Sequence, residues 1–185
     1  MPSDNKIHLL IVEPHADDAY LSLHEHILRW RLGGYAITIL TVQSAVENRA
    51  EEAKAYAGAV GVEWAGLGYD YGALPDEIDL SPYDPTLIVG PFGIQHPDHI
   101  RIREILHPDL LYFDIPYYRK QKNQAALNEQ FTNLELHSLY TPSPSKRHKK
   151  YWGCFTSQNK FFYFNPPREL ARIPEILVAP LNLQH

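Results

Sequence analysis

Cysteine is nearly absent from this chain of 185 residues, which contains only Cys154 and therefore has no disulfide of its own. Because disulfides persist in oxidising compartments, this scarcity favours a reducing one, and we expect a cytoplasmic protein. No apolar run approaches the ~20 residues that a membrane helix needs, so we expect no membrane span. Residues 1–6 are polar and lead directly into a strand-like run, which is not the pattern of a signal peptide.

An excess of basic charge is also lacking. The formal net charge is −5, so the chain has no general basic footprint for nucleic acid. Apolar residues make up 44% and charged residues 21% of the chain, which is a globular composition and excludes a disordered, collagenous or coiled-coil protein. The length predicts one domain over residues 1–185, and the composition does not specify an oligomeric state.

Short apolar runs alternate with helical segments through the first two thirds of the chain. Five runs predict strands, and three segments between them predict helices. The strands are expected at 7–12, 35–42, 63–67, 86–89 and 110–115, and the helices at 17–32, 47–60 and 98–106. This alternating order predicts an α/β fold with a mostly parallel sheet and helices on both faces.

The last third of the sequence has a weaker pattern. Residues 134–140 alternate like an edge strand, and residues 143–155 are compatible with a helix that carries a basic run at 146–150. The tail from residue 165 contains several prolines, so we predict little regular structure there.

Ten histidines are the most unusual feature, and two groups of them stand beside carboxylates. His-Ala-Asp-Asp occupies residues 15–18, just after the first strand, and His-Pro-Asp-His occupies residues 96–99, shortly after the fourth. Because parallel strands end at the same edge of a sheet, we expect the two groups to converge there. Imidazole and carboxylate together suit zinc, which takes three protein ligands in catalytic sites.

Simpler interpretations of each group stay open. Paired aspartates after a strand are also typical of a helix N-cap, and His-Pro-Asp-His is also compatible with a surface turn. Together the groups offer more candidates than the three ligand places of a zinc site, which leaves some for acid–base chemistry. The sequence alone therefore predicts a metal centre without assigning its ligands.

The two motifs resemble those of the LmbE-like / PIG-L family of zinc-dependent N-acetylglucosaminide deacetylases. Weaker similarities follow in the same order: a helix led by Arg49, an acidic loop at Asp70 and a late Ser157-Gln158 pair. The resemblance covers about residues 7–115 and 146–158. It implies a Rossmann-like fold, zinc or alternatively iron(II) as the cofactor, and removal of an acetyl group from a small-molecule N-acetylated sugar conjugate by metal-activated water.

The same resemblance implies a role for each motif residue. The implied metal ligands are His15, Asp18 and His99, and the implied general base is Asp17. His96 is then the group that stabilises the oxyanion, and Asp98 orients and charges it. Arg49 is implied as a substrate-binding residue, although an ion pair with a nearby glutamate on its helix is the alternative.

Some positions depart from the family pattern. Ala19 stands where a glutamate is usual, His24 and Glu25 stand where two glycines are usual, and the Gly-Glu pair after the second strand is missing. We expect His24, Glu25 and His26 to form a solvated helix surface.

Because these departures fall near the sugar, we expect altered recognition and a preference for a larger conjugate. Its second group would pack against a rim of Tyr69, Tyr71 and Tyr112. A metal-dependent amidase for a non-sugar natural product and a non-catalytic sugar- or nucleotide-binding module are the alternative functions.

Overall fold

The computed structural model describes residues 6–114, 134–140, 151–157 and 175–180. Within these ranges the chain forms one sheet of seven strands with helices packed against it. The strands are β1 (His8–Glu13), β2 (Ala36–Thr41), β3 (Glu63–Gly66), β4 (Leu87–Pro91), β5 (Leu110–Tyr112), β6 (Leu134–Tyr140) and β7 (Glu175–Pro180). The helices are α1 (Asp18–Leu32), α2 (Glu47–Val60) and α3 (Pro97–Leu106), with a 3-10 turn at Ser81–Tyr83.

The order of strands in the sheet is β3-β2-β1-β4-β5-β7-β6. Strands β1 to β5 pair in parallel, whereas β7 pairs antiparallel with both β5 and β6. The predicted mostly parallel α/β sheet is therefore confirmed. The chain reverses its direction of travel across the sheet between β1 and β4, and a crevice for ligands opens at such a switch point.

Strand β1 shows why the strands have almost continuous apolar sequences. Leu9 and Ile11 pack with α1 and α2 in one core, whereas Leu10 and Val12 pack with Ile102 of α3 in a second core on the opposite face. A parallel strand covered on both faces has no solvated side, so both sets of alternating side chains are apolar. The expectation of helices on both faces is also confirmed.

The C-terminal part of the chain differs from the prediction. Strand β6 has the predicted bounds and lies at the sheet edge, but β7 falls in the tail where we predicted little regular structure. Its apolar run lies between Pro174 and Pro180, and prolines so close together resemble a loop in sequence. Most of the predicted helix at 143–155, including the basic run at 146–150, lies outside the described residues.

The three α-helices of the described ranges include none that is both long and apolar enough to cross a membrane.

Candidate metal centre

The two histidine motifs meet at the carboxyl edge of the sheet, beside the switch point between β1 and β4. His15 follows β1 closely, and His99 lies in the first turn of α3, which follows β4. Although they are 84 positions apart in sequence, His15 Nδ1 and His99 Nε2 are 3.3 Å apart. The structure therefore brings the two motifs together as the parallel topology predicts.

Three side-chain atoms at this edge of the sheet form a small triangle. Asp18 Oδ2 lies 3.1 Å from His15 Nδ1 and 3.2 Å from His99 Nε2. Ligand atoms at about 2.0–2.1 Å from a tetrahedral zinc would themselves be about 3.3 Å apart. All three residues are buried, so their donor atoms are held by packing. These atoms thus have the chemistry and the spacing of a zinc ligand set, and we refer to His15, Asp18 and His99 as the metal triangle.

His96 lies beside the metal triangle and provides another nitrogen. One ring nitrogen from each of His15, His96 and His99 falls within a group no wider than 4.8 Å, so three histidines could also hold an ion. We favour Asp18 over His96 as the third ligand because Asp18 lies closer. Both ring nitrogens of His96 also have partners in the protein: its Nδ1 accepts the Asp98 backbone N–H, and its Nε2 lies 3.2 Å from Tyr71 Oη.

Two further carboxylates bind the histidine rings of the metal triangle from outside. Asp98 Oδ2 lies 3.2 Å from His15 Nε2, and Asp114 Oδ1 lies 2.8 Å from His99 Nδ1. Gln43 Nε2 also donates to Asp98 Oδ2, at 2.9 Å. Carboxylates in this position fix the ring orientation of a metal-binding histidine.

The carboxylate of Asp98 lies closer to His15 than to His96, the residue that the resemblance implies it orients and charges. Its Oδ2 is 3.9 Å from His96 Nδ1, too far for a hydrogen bond, and it contacts His15 instead. Sequence reasoning missed Gln43 and Asp114. Both follow strands at the carboxyl edge, so the rule that located the two motifs could have located them as well.

Asp17 precedes Asp18 of the metal triangle in the chain, but its side chain forms an ion pair with Arg49. It occupies the N-cap position of α1, yet its side chain makes no capping hydrogen bond. Its Oδ1 instead accepts a 2.8 Å hydrogen bond from Arg49 Nη2. Burial raises the pKa of Asp17, and the Arg49 charge opposes that rise in part. The helix-cap interpretation is thus not supported, and the ion pair of Arg49 is with Asp17 rather than with a helix glutamate.

The pKa values of Asp18 and His99 in the metal triangle are shifted in opposite directions. Burial raises the pKa of Asp18, but the charges of His99 and His15 outweigh it and hold that pKa well below its usual value. Burial lowers the pKa of His99, but Asp18 and Asp114 outweigh it and raise that pKa well above its usual value. The metal-free site thus favours a carboxylate facing a protonated imidazole. A metal ligand must be deprotonated, so metal binding would release this proton.

The surroundings of His96 disfavour the imidazolium that the resemblance implies. Burial lowers its pKa, the neighbouring His15 and His99 lower it further, and the opposing effect of Asp98 is smaller. Because its Nδ1 accepts a backbone N–H, the proton of the neutral ring is on Nε2. His96 can therefore act as an uncharged N–H donor.

Of the three tyrosines expected at the rim, Tyr71 matches the expectation best. Its side chain is 63% exposed, and its ring stacks on that of His15 at a centroid distance of 5.3 Å. Tyr69 is partly buried and packs against the second core. Tyr112 is fully buried in the first core, so the expectation that it forms part of the rim is wrong.

The segment from His24 to His26 is buried, which contradicts the expected solvated surface. His24 Nδ1 lies 2.9 Å from Tyr56 Oη, and His26 lies between Glu175 and Ser138. The expectation failed because β7 and residues 151–157 cover the face of α1 that we predicted to be in water. These histidines belong to a structural network and not to the metal triangle.

Comparison with known proteins identifies the fold. No protein-family model matches the sequence, and no curated protein sequence does so either. A solved deacetylase of the teicoplanin biosynthesis pathway, in complex with bog, is similar with a TM-score of 0.70 and 18% identity, covering 94% of this chain and 97% of that one. The zinc-inhibited form of teicoplanin deacetylase Orf2 gives a TM-score of 0.69 at 18% identity, with the same coverage of 94% and 97%.

A third solved structure extends the comparison to another substrate. The N,N'-diacetylchitobiose deacetylase from Pyrococcus horikoshii, bound to its inhibitor MPG, has a TM-score of 0.62 at 14% identity, covering 100% of this chain and 88% of that one. The chain has the fold of these deacetylases. The fold that the sequence resemblance implies is therefore confirmed.

Proposed function

We propose that the protein is a metal-dependent N-deacetylase that hydrolyses the acetamide of an amino-sugar conjugate. The observation that carries this proposal is the convergence of the metal triangle at the switch point of the sheet, where folds of this kind bind ligands, with Asp17 adjacent to Asp18 in the chain. Similar folds in deacetylases of teicoplanin biosynthesis and of N,N'-diacetylchitobiose support it. Zinc is the proposed metal, with iron(II) as the alternative.

The metal would be held by His15, Asp18 and His99. When bound there, a divalent ion would lower the pKa of water and polarise the amide carbonyl. Asp98 and Asp114 would keep the two histidine rings in place from the other side. A binding protein would not need a further carboxylate beside its ligands, so Asp17 favours catalysis over binding alone.

Asp17 would move the proton of the reaction. Arg49 holds its Oδ1, so Oδ2 is the atom proposed to accept a proton from the attacking water. The water oxygen bonds to the carbonyl carbon, the C–N bond then breaks, and Asp17 returns the proton to the leaving amine. A raised pKa suits this exchange, because the carboxyl must both accept and release a proton near neutral pH.

His96 would stabilise the negative charge that develops on the carbonyl oxygen. Its Nε2–H would be a neutral donor, and the hydroxyl of the exposed Tyr71 lies 3.2 Å from that nitrogen. The substrate oxygen would take the place of that hydroxyl, and a donor fixed by its own helix turn loses little entropy in doing so. Tyr71 would then be displaced toward the outer part of the substrate.

Substrate recognition would involve Tyr71 and Arg49 at the open side of the site. The exposed ring of Tyr71 offers an apolar surface, and the half-buried guanidinium of Arg49 offers donors for sugar hydroxyls. We propose that a second group of the substrate packs against Tyr71, so larger conjugates react faster than free N-acetylglucosamine. Binding energy from such a remote group positions the acetamide.

A substrate panel tests this function. Protein stripped of metal and reloaded with zinc or iron(II) is incubated with N-acetylglucosamine, its glycosides and phosphates, and non-sugar acetamides, and the free amine is measured. We expect release that depends on the metal and is faster for glycosides than for the bare sugar. Turnover of non-sugar amides alone would establish the amidase instead. Binding of sugars without release of amine would establish the binding module.

A further inference from the structure

Asp114 is a buried carboxylate to which the sequence motifs assign no role. It lies two residues beyond the end of β5 and is only 1% exposed. Its Oδ1 lies 2.8 Å from His99 Nδ1, and its Oδ2 accepts a 2.8 Å hydrogen bond from the Ile94 backbone N–H. Both oxygens are thus engaged, one by the ring of a proposed metal ligand and one by the loop that precedes α3.

The two hydrogen bonds define the direction of the carboxylate. Ile94 follows Gly93, which has a φ of 73° and lies so close to α3 that a Cβ would be 2.8 Å from Ile100 Cα. This close approach holds the loop against α3 and points the Ile94 N–H at Asp114. Asp114 Oδ1 then faces His99, so the carboxylate cannot rotate away without losing one of its two hydrogen bonds.

The consequence for His99 follows from the chemistry of imidazole. A carboxylate accepts hydrogen bonds, so the ring nitrogen that faces it, Nδ1, carries a proton. The lone pair of the neutral ring is then on Nε2, which faces Asp18 and His15 at 3.2 and 3.3 Å. The opposite tautomer would present an N–H to the metal and would remove the ring donor from the buried Asp114 Oδ1.

We propose that Asp114 is a positioning residue that holds His99 with its proton on Nδ1 and its Nε2 lone pair toward the metal. The inference rests on the proposed metal centre, because it describes how one ligand of that centre is oriented. Asp114 touches neither the substrate nor the reacting atoms, and it acts through His99. Loss of such a carboxylate weakens metal binding by about 10–100-fold.

Asp114→Asn tests the proposal because the amide keeps the shape of the side chain but can no longer accept at both oxygen positions. Asp109→Asn is the matched control, since Asp109 Oδ2 accepts a backbone N–H from Ile88 at 2.7 Å but the residue is exposed. Zinc dissociation constants are measured by competition with a chelator. We expect the constant to rise about 10–100-fold for Asp114→Asn and to change less than about twofold for Asp109→Asn.

A spectroscopic measurement on the zinc-loaded wild type needs no variant. With ring-labelled histidine, NMR should show a hydrogen-bonded proton on His99 Nδ1 and metal on Nε2. A merely structural role for Asp114 would lower the unfolding temperature of Asp114→Asn without changing its zinc constant. Metal on Nδ1, or an unchanged zinc constant in folded Asp114→Asn, overturns the inference and leaves the proposed function intact. A wild type that binds no metal overturns both.

Discussion

Two clusters of histidine and carboxylate lie along α1, and only one of them has the arrangement of a metal site. The metal triangle is at the start of the helix, and a second cluster, formed by Glu25, His26 and Glu175, lies near its middle. Both are buried. In the metal triangle, outer carboxylates bind the far ring nitrogens, so the near nitrogens face each other and Asp18.

In the second cluster, which we call the α1–β7 cluster, the ring nitrogens of His26 face protein partners and not one another's lone pairs. Glu175 accepts the backbone N–H groups of Glu25 and His26 as well as the ring Nδ1 of His26. Ser138 Oγ lies 2.8 Å from the other ring nitrogen of His26. Protein groups therefore bind both nitrogens of that ring, and none is directed at a shared point. Proximity of histidine and carboxylate is therefore insufficient evidence for a metal site, and the convergence of ring nitrogens is what distinguishes the proposed one.

The largest effects are expected for the two adjacent aspartates of the metal-site motif. Asp17→Asn should lower kcat by about 10²–10⁴-fold and keep the metal, because an amide cannot accept the water proton but can still bind Arg49. Asp18→Asn should lose metal and activity together. Metal content and kcat are measured on the same preparations. An Asp17→Asn protein without metal, alongside an Asp18→Asn protein that retains it, would show that the roles are reversed.

The α1–β7 cluster should behave as a structural unit. Glu175→Ala removes the acceptor of two helix N–H groups and of His26, and we expect the free energy of unfolding to fall by about 3–5 kcal/mol. Urea unfolding of metal-free protein measures this loss. Glu51→Ala is the control, since Glu51 forms an exposed ion pair with Lys54 and its loss should cost at most about 1 kcal/mol. A changed zinc affinity in folded Glu175→Ala would mean that the clusters are coupled.

The contrast between the clusters also explains what the sequence could reveal. The two histidine motifs were recognisable because each follows a strand, and a parallel sheet necessarily brings such positions to one edge. Local apolar periodicity predicted those strands well. The partners of His26 could not be predicted, because Glu175 is 149 positions away on a strand whose flanking prolines resemble a loop.

The direction of individual side chains was the other feature that the sequence could not predict. Asp98 was expected beside His96, its near neighbour in sequence, but its carboxylate contacts His15 from the other motif. Tyr112 was expected at the rim because it ends a strand at the correct edge, but its ring turns into the core. Sequence spacing locates a residue on an edge of the sheet, whereas packing decides which of two faces its side chain takes.

Variants of His96 test whether a neutral N–H donor next to the metal triangle is sufficient to stabilise the oxyanion. His96→Ala should lower kcat by about 10²–10³-fold while the metal stays bound, because an oxyanion donor is lost. His96→Gln should lose less, since an amide N–H replaces the ring Nε2–H without a positive charge. The kcat values of the two variants are compared at equal zinc content. If both are equally inactive, donation by a neutral N–H is not the contribution of His96.

Glu13 lies two residues before His15 of the metal triangle, but its carboxyl resembles Glu175 of the α1–β7 cluster because protein groups donate hydrogen bonds to it. Its carboxyl accepts the Ala19 backbone N–H and the Thr41 hydroxyl, at 2.8 and 2.7 Å. Burial raises the pKa of Glu13 from 4.5 to about 8. The folded protein therefore binds a proton that the unfolded chain has released between these two pH values, so this group lowers the stability as the pH rises.

Glu13→Gln should remove that pH dependence, because the amide cannot ionise and has a similar shape. We expect the free energy of unfolding of the metal-free wild type to fall relative to that of the variant by up to about 1.4 kcal/mol per pH unit between about pH 4.5 and 8. Urea unfolding at several pH values in a chelator measures the difference between the two proteins, which cancels the titration of other groups. A constant difference across this range would show that Glu13 is ionised in the folded protein, and that donors from α1 and β2 are enough to hold a charged carboxylate there.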